Sequence, residues 1–231
     1  LGDVYKRQDL CPVGALTSKP YSFVSRPWEL KKTETIDVMD AIGSNIRVDT
    51  RGGEVLRVLP RVNEDINEEW ISDKARFSCD GLKRQRLDKP FVRKDGKLVP
   101  ASWDEALSVV ADKMKQISPE AIAVLVGDQC EAESMFALKC LAEKLGIENI
   151  DCRQDGAKIN TDSRASYLFN STIAGIEDAD AVLLIGTNPR WGAPVLNARI
   201  RKRWLETRLP IALIGEEYDL TYDVDYLGNS A

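Results

Sequence analysis

Apolar residues along this chain change their spacing from one stretch to the next, and the spacing predicts the elements. Thr35-Ile-Asp-Val-Met39 alternates, with Ile36 and Val38 on one face, as a strand does. Asn45-Ile-Arg-Val-Asp-Thr50 and Glu54-Val-Leu-Arg-Val-Leu59 flank Arg51-Gly52-Gly53, whose glycines tolerate positive φ, so this stretch reads as a hairpin. Ser72 to Arg84 reads as a short basic helix, irregular around Gly81. Phe91-Val92 and Leu98-Val99 around Lys94-Asp95-Gly96 predict a second hairpin. Ser102-Trp-Asp-Glu105 is a capping box, and behind it Trp103, Ala106, Leu107, Val110, Met114 and Ile117 form the 3–4 stripe of a helix with a buried face.

Farther along, the pattern alternates between apolar runs and amphipathic segments. Ala121–Val126, Ala181–Ile185 and Pro210–Ile214 read as buried strands, ending at Gly127, Gly186 and Gly215. A helix is expected over about Glu131–Leu145, stopped by Gly146, with Met135, Leu138, Ala142 and Leu145 inward. Another begins at Pro194 and runs to about Thr207, with Leu196, Ile200 and Trp204 facing the core. Apolar strands separated by amphipathic helices predict an α/β fold, a parallel sheet with helices on both faces. The chain divides into three regions: a turn-rich segment 1–27 that docks onto the next, a small β-rich region 28–88, and an α/β domain 89–231 whose sheet is not complete at Ala231. Leu1–Gln8 fit poorly with the residues after them and are set aside as a candidate non-native scar.

Composition narrows the chemistry. With 43% hydrophobic and 30% charged residues, the 231-residue chain has ordinary globular composition. A net charge of −5 argues against a general nucleic-acid binder, which presents a basic field. No apolar run approaches the ~20 residues of a membrane helix, so no direct membrane insertion is expected. The absence of histidine removes histidine triads and histidine-ligated zinc. Cys11, Cys79, Cys130, Cys140 and Cys152 are odd in number and unpaired in spacing, which favours a reducing compartment over a disulfide framework.

Cys11-Pro12 carries the sharpest chemical signal. A cysteine directly followed by proline closes the ligand run of bacterial-type ferredoxins, and that run needs three more cysteines. None precedes Cys11, so the chain is expected to be a fragment beginning inside a cluster-binding domain. The other four cysteines have no ligand spacing and are expected to be buried structural thiols. Gly186-Thr-Asn-Pro-Arg190 leaves a strand at the carboxyl edge of the expected sheet, where α/β folds bind ligands; it reads either as a binding loop or as a tight turn with a helix cap. It matches neither a Rossmann nor a P-loop fingerprint. Arg199, Arg201, Lys202 and Arg203 read as a solvated helix face with some partner contact, and Glu64-Asp65 and Glu68-Glu69 as a solvated loop. No residue is assigned acid–base catalysis.

A series of motifs in unbroken order carries a family resemblance. Cys11-Pro-Val-Gly-Ala-Leu-Thr-Ser-Lys-Pro20 leads through Arg26-Pro-Trp28 to Asp37-Val-Met-Asp-Ala-Ile-Gly-Ser-Asn45. It continues with Leu59-Pro-Arg61, Glu64 to Lys74 and Asp80 to Leu87, and then Thr172-Ile-Ala-Gly175, Gly186 to Arg190 and Asn197 to Arg201. This series resembles the large iron–sulfur subunits in the peripheral arm of NADH-quinone oxidoreductase (respiratory complex I). The resemblance implies a ferredoxin-like part holding a [2Fe-2S] cluster and [4Fe-4S] clusters that relay electrons from a flavin-bearing, NADH-binding subunit toward quinone. It implies other peripheral-arm subunits as partners, and a place on the cytoplasmic face of a bacterial inner membrane or the matrix face of a mitochondrial one. Cys11 matches the last ligand of one [4Fe-4S] cluster. Residues 1–27 then correspond to the tail of the ferredoxin-like domain.

The rest is similar to molybdopterin oxidoreductases such as formate dehydrogenases, with 28–88 as their small iron–sulfur domain and 89–231 as an incomplete first α/β domain. Cys-x-x-Cys ligands are missing near Met39 to Asn45, Ser72 stands where a last cysteine precedes Lys74, and Gly215-Glu216 stands where those enzymes place a guanine-reading aspartate. The resemblance therefore implies an enzyme-like scaffold with no molybdopterin. A molybdopterin-dependent oxidoreductase and a nucleotide-binding module at Gly186–Arg190 are the alternatives.

Overall fold

A computed structural model describes residues 3–152, 156 and 158–229. Of the segment set aside as a scar, Leu1 and Gly2 lie outside the described residues, while Asp3 to Gln8 belong to α1 (Asp3–Leu10). The chain then gives β1 (Lys31–Ile36), β2 (Asn45–Arg51), β3 (Glu54–Pro60) and α2 (Asp73–Phe77). β4 (Phe91–Lys94), β5 (Lys97–Pro100), α3 (Trp103–Gln116), β6 (Ala123–Leu125), α4 (Ala132–Leu145) and β7 (Asn149–Asp151) come next. Last come β8 (Val182–Ile185), α5 (Pro189–Gly192), α6 (Pro194–Thr207), β9 (Ile211–Ile214) and β10 (Asp225–Gly228). These elements form two compact units, one of Leu1–Arg84 with Leu168–Ala231, the other of Gln85–Tyr167.

In the first unit β1-β2-β3 is an antiparallel meander, and its hairpin turns at Gly52 and Gly53, both at positive φ. The first strand starts and ends earlier than the alternation of residues 35–39 predicts, because Lys31 to Ile36 pair with Thr50 to Asn45 and pairing lapses afterwards. Ile46, Val58, Ile71 and Ala75 close the core under this sheet. Asn67 is fully buried and pins the following loop: its side chain accepts from Asn45 N–H at 2.9 Å and donates to the Arg61 and Trp70 carbonyls. Buried Asp49 is gripped by Arg47 at 2.9 Å and by Arg57, its cross-strand partner, at 2.7 Å.

The second core of this unit lies between α6 and a three-stranded parallel sheet ordered β10-β9-β8. Leu213 is fully buried at its centre, with Leu184, Ile200, Ile211 and Leu220 around it. Pro194 opens α6 at a position where a missing N–H costs nothing, and Leu196, Ile200 and Trp204 face the core as their spacing predicts. The helix stops where Arg208 turns left-handed at φ 55°, its guanidinium 4.5 Å from the Trp204 ring centre. The other sheet face differs from expectation: Leu183 and Ile185 are 54% and 58% exposed. The expected parallel sheet occurs as two separate pieces, since β6 pairs with β7 in the other unit.

Of the basic residues of α6, Arg201 and Lys202 are solvated as expected, while Arg199 departs from that face. Arg199 is buried, bonded to Glu177 at 2.9 Å and to the Glu64 carbonyl, and Lys202 reaches Glu68 at 2.7 Å and Glu177 at 3.3 Å. Sequence spacing along one helix is blind to acidic residues brought in from other segments, and these cations clamp the 64–68 loop and the 174–178 turn onto the helix.

In the second unit β4 and β5 form the predicted hairpin, turning at Asp95 and Gly96. Ser102 Oγ accepts from the Glu105 N–H at 3.2 Å, completing one half of the capping box; the Glu105 carboxylate instead pairs with Lys94 at 2.6 Å. The stripe on α3 is not buried: Trp103, Leu107, Val110 and Ile117 are exposed, and Ala106 and Met114 are only half-buried. On α4 the inward face is as predicted at Ala142, which is buried, and at half-buried Met135 and Leu138, while Leu145 is exposed. Gly146 ends the helix at φ 70°, its N–H reaching back to the Ala142 and Glu143 carbonyls.

Candidate functional site

Cys11 follows the last residue of α1 and opens a tight loop that turns at Gly14, φ 66°. The backbone amides of Leu16 first, and of Ala15, Val13 and Gly14, hold the thiol below its ordinary pKa against the opposing effect of desolvation, and the Gly14 N–H closes the turn on the Cys11 carbonyl at 3.4 Å. Amides converging on a sulfur favour the thiolate, the form that binds metal. Two residues upstream, Asp9 makes a bidentate pair with Arg76 of α2, at 3.0 and 2.8 Å, with both side chains largely shielded from water. That pair fixes the segment carrying Cys11 to the body of the first unit. Tyr21 adds a second tether, with the Arg57 guanidinium 4.3 Å from its ring centre.

The donor chemistry of Cys11 suits one ligand of an iron–sulfur cluster, and among the described residues no group of three or more Cys, His, Asp or Glu is placed to hold a metal. The middle region does not fit a cluster of its own. Ser72, where the resemblance implies a cysteine, is the N-cap of α2 and accepts the Ala75 N–H at 3.1 Å. Cys79 is half-buried, and burial together with Asp80 pushes its thiol up rather than toward the thiolate.

The loop after β8 lies at the carboxyl edge of its sheet. Gly186 N–H donates to the Ile214 carbonyl at 2.8 Å, and Gly186 and Gly215 sit back to back: a Cβ on Gly215 falls 3.3 Å from the Gly186 Cα and N. Asn188 caps α5 with its backbone, leaving its buried Oδ1 without a partner. Arg190 is bonded to the Asp219 carbonyl and carboxylate, both at 2.7 Å. A cavity of about 270 Å³ opens beside it, lined by Lys74, Arg190, Trp191 and Asn197 among others. This space lies at the low end of the volumes of ordinary small-molecule sites, ~300–1,000 Å³. Glu216, where the resemblance implies an aspartate, accepts a hydrogen bond from the Tyr218 hydroxyl at 2.9 Å.

The structure thus places the two sequence-derived candidates, Cys11 and Gly186–Arg190, in one unit but in separate loops. Sequence reasoning missed Arg76 as the partner of Asp9; nothing in its spacing marks a contact 67 positions away. The expectation of buried thiols is overturned for Cys130 and Cys152, which are exposed because both lie in loops beyond strand ends, while Cys140 is half-buried on α4.

Two family models match the chain. One, for molybdopterin oxidoreductases, covers residues 86–231; the other, the 4Fe-4S domain of NADH-ubiquinone oxidoreductase NDSU1/NuoG-like proteins, covers residues 30–80, a stretch whose single cysteine is Cys79. Among curated relatives, the mitochondrial NADH-ubiquinone oxidoreductase 78 kDa subunit of Candida albicans is 58% identical over 96% of this chain and 32% of its own length. Its counterpart from Neurospora crassa is 56% identical over 95% of the chain and 30% of its own length. The corresponding NADH-quinone oxidoreductase subunit of Rickettsia bellii is 58% identical over 96% of the chain and 32% of its own length. The chain therefore spans about a third of the length of these relatives. Matched over well more than half its residues by the first model, the chain belongs to the molybdopterin oxidoreductase family, alongside the NuoG-like subunits of NADH-quinone oxidoreductase.

Proposed function

We propose that this chain is a portion of the iron–sulfur subunit of an NADH:quinone oxidoreductase, and that Cys11 is one ligand of a [4Fe-4S] cluster. What carries this reading is the 56–58% identity to NADH-ubiquinone and NADH-quinone oxidoreductase subunits over 95–96% of the chain, with Cys11-Pro12 held on a segment pinned by Asp9 and Arg76. When bound, such a cluster passes electrons one at a time toward quinone. The chain's own residues supply the Cys11 sulfur and hold its position through the Asp9–Arg76 pair. Position matters because electron tunnelling falls steeply with distance. Further [4Fe-4S] clusters and a [2Fe-2S] cluster belong to the full-length subunit, with a flavin-bearing subunit and other peripheral-arm subunits as partners.

Residues 1–27 are the tail of a ferredoxin-like domain in this reading, 28–88 a 4Fe-4S-type domain without its cysteine ligands, and 89–231 a molybdopterin-oxidoreductase-like scaffold without molybdopterin. Among the described residues no helix is long and apolar enough to cross a membrane. Membrane association, at the cytoplasmic or matrix face, runs through those partners.

The test is Cys11→Ser in the full-length subunit, reconstituted anaerobically with iron and sulfide and read by electron paramagnetic resonance and metal analysis. One [4Fe-4S] signal should vanish while the others persist. Unchanged signals remove Cys11 from the ligand set, and stoichiometric molybdenum or pterin returns the chain to the molybdopterin-dependent enzymes.

A further inference from the structure

A shielded pair of opposite charges begins two residues before Cys11: the Asp9 carboxylate accepts from both terminal nitrogens of Arg76, at 3.0 and 2.8 Å. Two residues of backbone span about 7 Å at most, so that carboxylate stays within roughly 10–13 Å of the Cys11 sulfur whichever way the two side chains point. Arg76 is buried, and its Nε has no hydrogen-bond partner. Among the described residues no second carboxylate pairs with its guanidinium, so its charge answers that of Asp9. A shielded ion pair is a weak source of stability, since apolar side chains of similar volume fill the same space about as well. What apolar side chains cannot do is fix where charge lies. The reduction potential of an iron–sulfur cluster follows the net charge around it. An arriving electron adds negative charge, so a bare carboxylate nearby opposes reduction and a bare cation favours it.

We propose that Arg76 sets the reduction potential of the cluster that Cys11 ligates, by cancelling the charge of Asp9 beside that ligand. The inference rests on the reading of Cys11 as a [4Fe-4S] ligand. One electron enters and the same electron leaves toward quinone; no bond forms or breaks, and no proton is required. At an effective dielectric of ~20, a unit charge ~10 Å away changes a one-electron equilibrium roughly tenfold. Because the pair is shielded, salt screens this effect only weakly.

The test is a potentiometric titration of the full-length subunit reconstituted with iron and sulfide, each cluster followed by electron paramagnetic resonance. The signal lost in Cys11→Ser is the one to follow. Arg76→Gln should lower its midpoint by the equivalent of roughly tenfold, ~59 mV for one electron. Asp9→Asn should raise it by a similar amount, and the two substitutions together should return it to within about twofold of the parent. Arg76→Lys keeps the charge but loses the two-pronged contact, so its midpoint should stay within about the same twofold. A pair that merely docks the segment would shift Arg76→Gln and Asp9→Asn in the same direction, with Arg76→Lys in between. That pattern, or midpoints unmoved in both single variants, would overturn the proposal. So would failure of all the variants to load this cluster, which would make the pair an assembly device. If Cys11→Ser loses no signal, the reading of Cys11 falls and this inference with it. A signal lost there but indifferent to charge at Asp9 and Arg76 removes this inference alone.

Discussion

Arg76→Ala should loosen the segment that carries Cys11 while leaving the rest of its unit in place. The guanidinium donates from both terminal nitrogens to the two Asp9 oxygens, at 3.0 and 2.8 Å, with 9% and 13% of the two side chains exposed. Removing one partner of so shielded a pair costs about 3–5 kcal/mol, and the low end applies because Asp9 keeps a path to water. About 3 kcal/mol at ~1.4 kcal/mol per tenfold raises the undocked population of the Cys11 segment roughly hundredfold. Amide hydrogen exchange reads this directly, since local opening sets the rate for protected amides. Exchange across residues 8–16 should accelerate about hundredfold at most, while β9 stays at its original rate. Arg76→Lys should fall between, because an ammonium cannot make the two-pronged contact. Exchange in 8–16 within twofold of the parent would refute the reasoning. Equal acceleration in β9 would also sink it, by showing that the pair supports the whole unit.

Three further outcomes are expected. Gly215→Ala places its methyl 3.3 Å from two Gly186 backbone atoms at φ 132°, so the urea midpoint should drop by the equivalent of about 2–3 kcal/mol with an unchanged slope. Leu213→Ala empties the most enclosed position of the α6 core and should cost about 3–4 kcal/mol in the same measurement. Burial, helped by neighbouring Asp40, raises the Asp37 carboxyl against the opposing amides of Met39 and Asp40 and the charge of Lys74. A carboxyl raised on folding stabilises most below its unfolded pKa of about 3.9, and that stability is lost as pH rises through the folded value. Melting temperature should therefore fall across this acidic window in the parent and stay flatter in Asp37→Asn; identical profiles would remove Asp37 as the cause.

Local signals in this chain were legible wherever the physics is local. Gly52-Gly53 and Asp95-Gly96 announce their hairpins because few other residues accept those backbone angles. Ser102, Gly146 and Pro194 mark helix ends by the orphan groups they satisfy or lack. Periodicity did less well where burial depends on a partner. The α3 stripe has the spacing of a core face, yet Trp103 and Leu107 are exposed, since spacing describes a helix and not what lies across from it. Arg199 and Lys202 show the converse: their acidic partners at 68 and 177 are remote in sequence, so a basic run looks unpartnered until the fold brings them together. At the candidate site, Cys11-Pro12 marked the sulfur, but not the Leu16 and Ala15 amides that tune it or the Asp9–Arg76 anchor.

Asp49 also bears on which hairpin the chain chooses. Side chains alternate across a strand, so slipping β2 against β3 by one residue would send the carboxylate to the opposite face from Arg57. The native register buries a carboxylate with two guanidiniums on it, and each slipped register must either bury it without Arg57 or turn the apolar residues Ile46 and Val58 outward. A charge inside a small sheet thus acts as a register key: both of the guanidiniums that offset its burial meet it in one pairing alone.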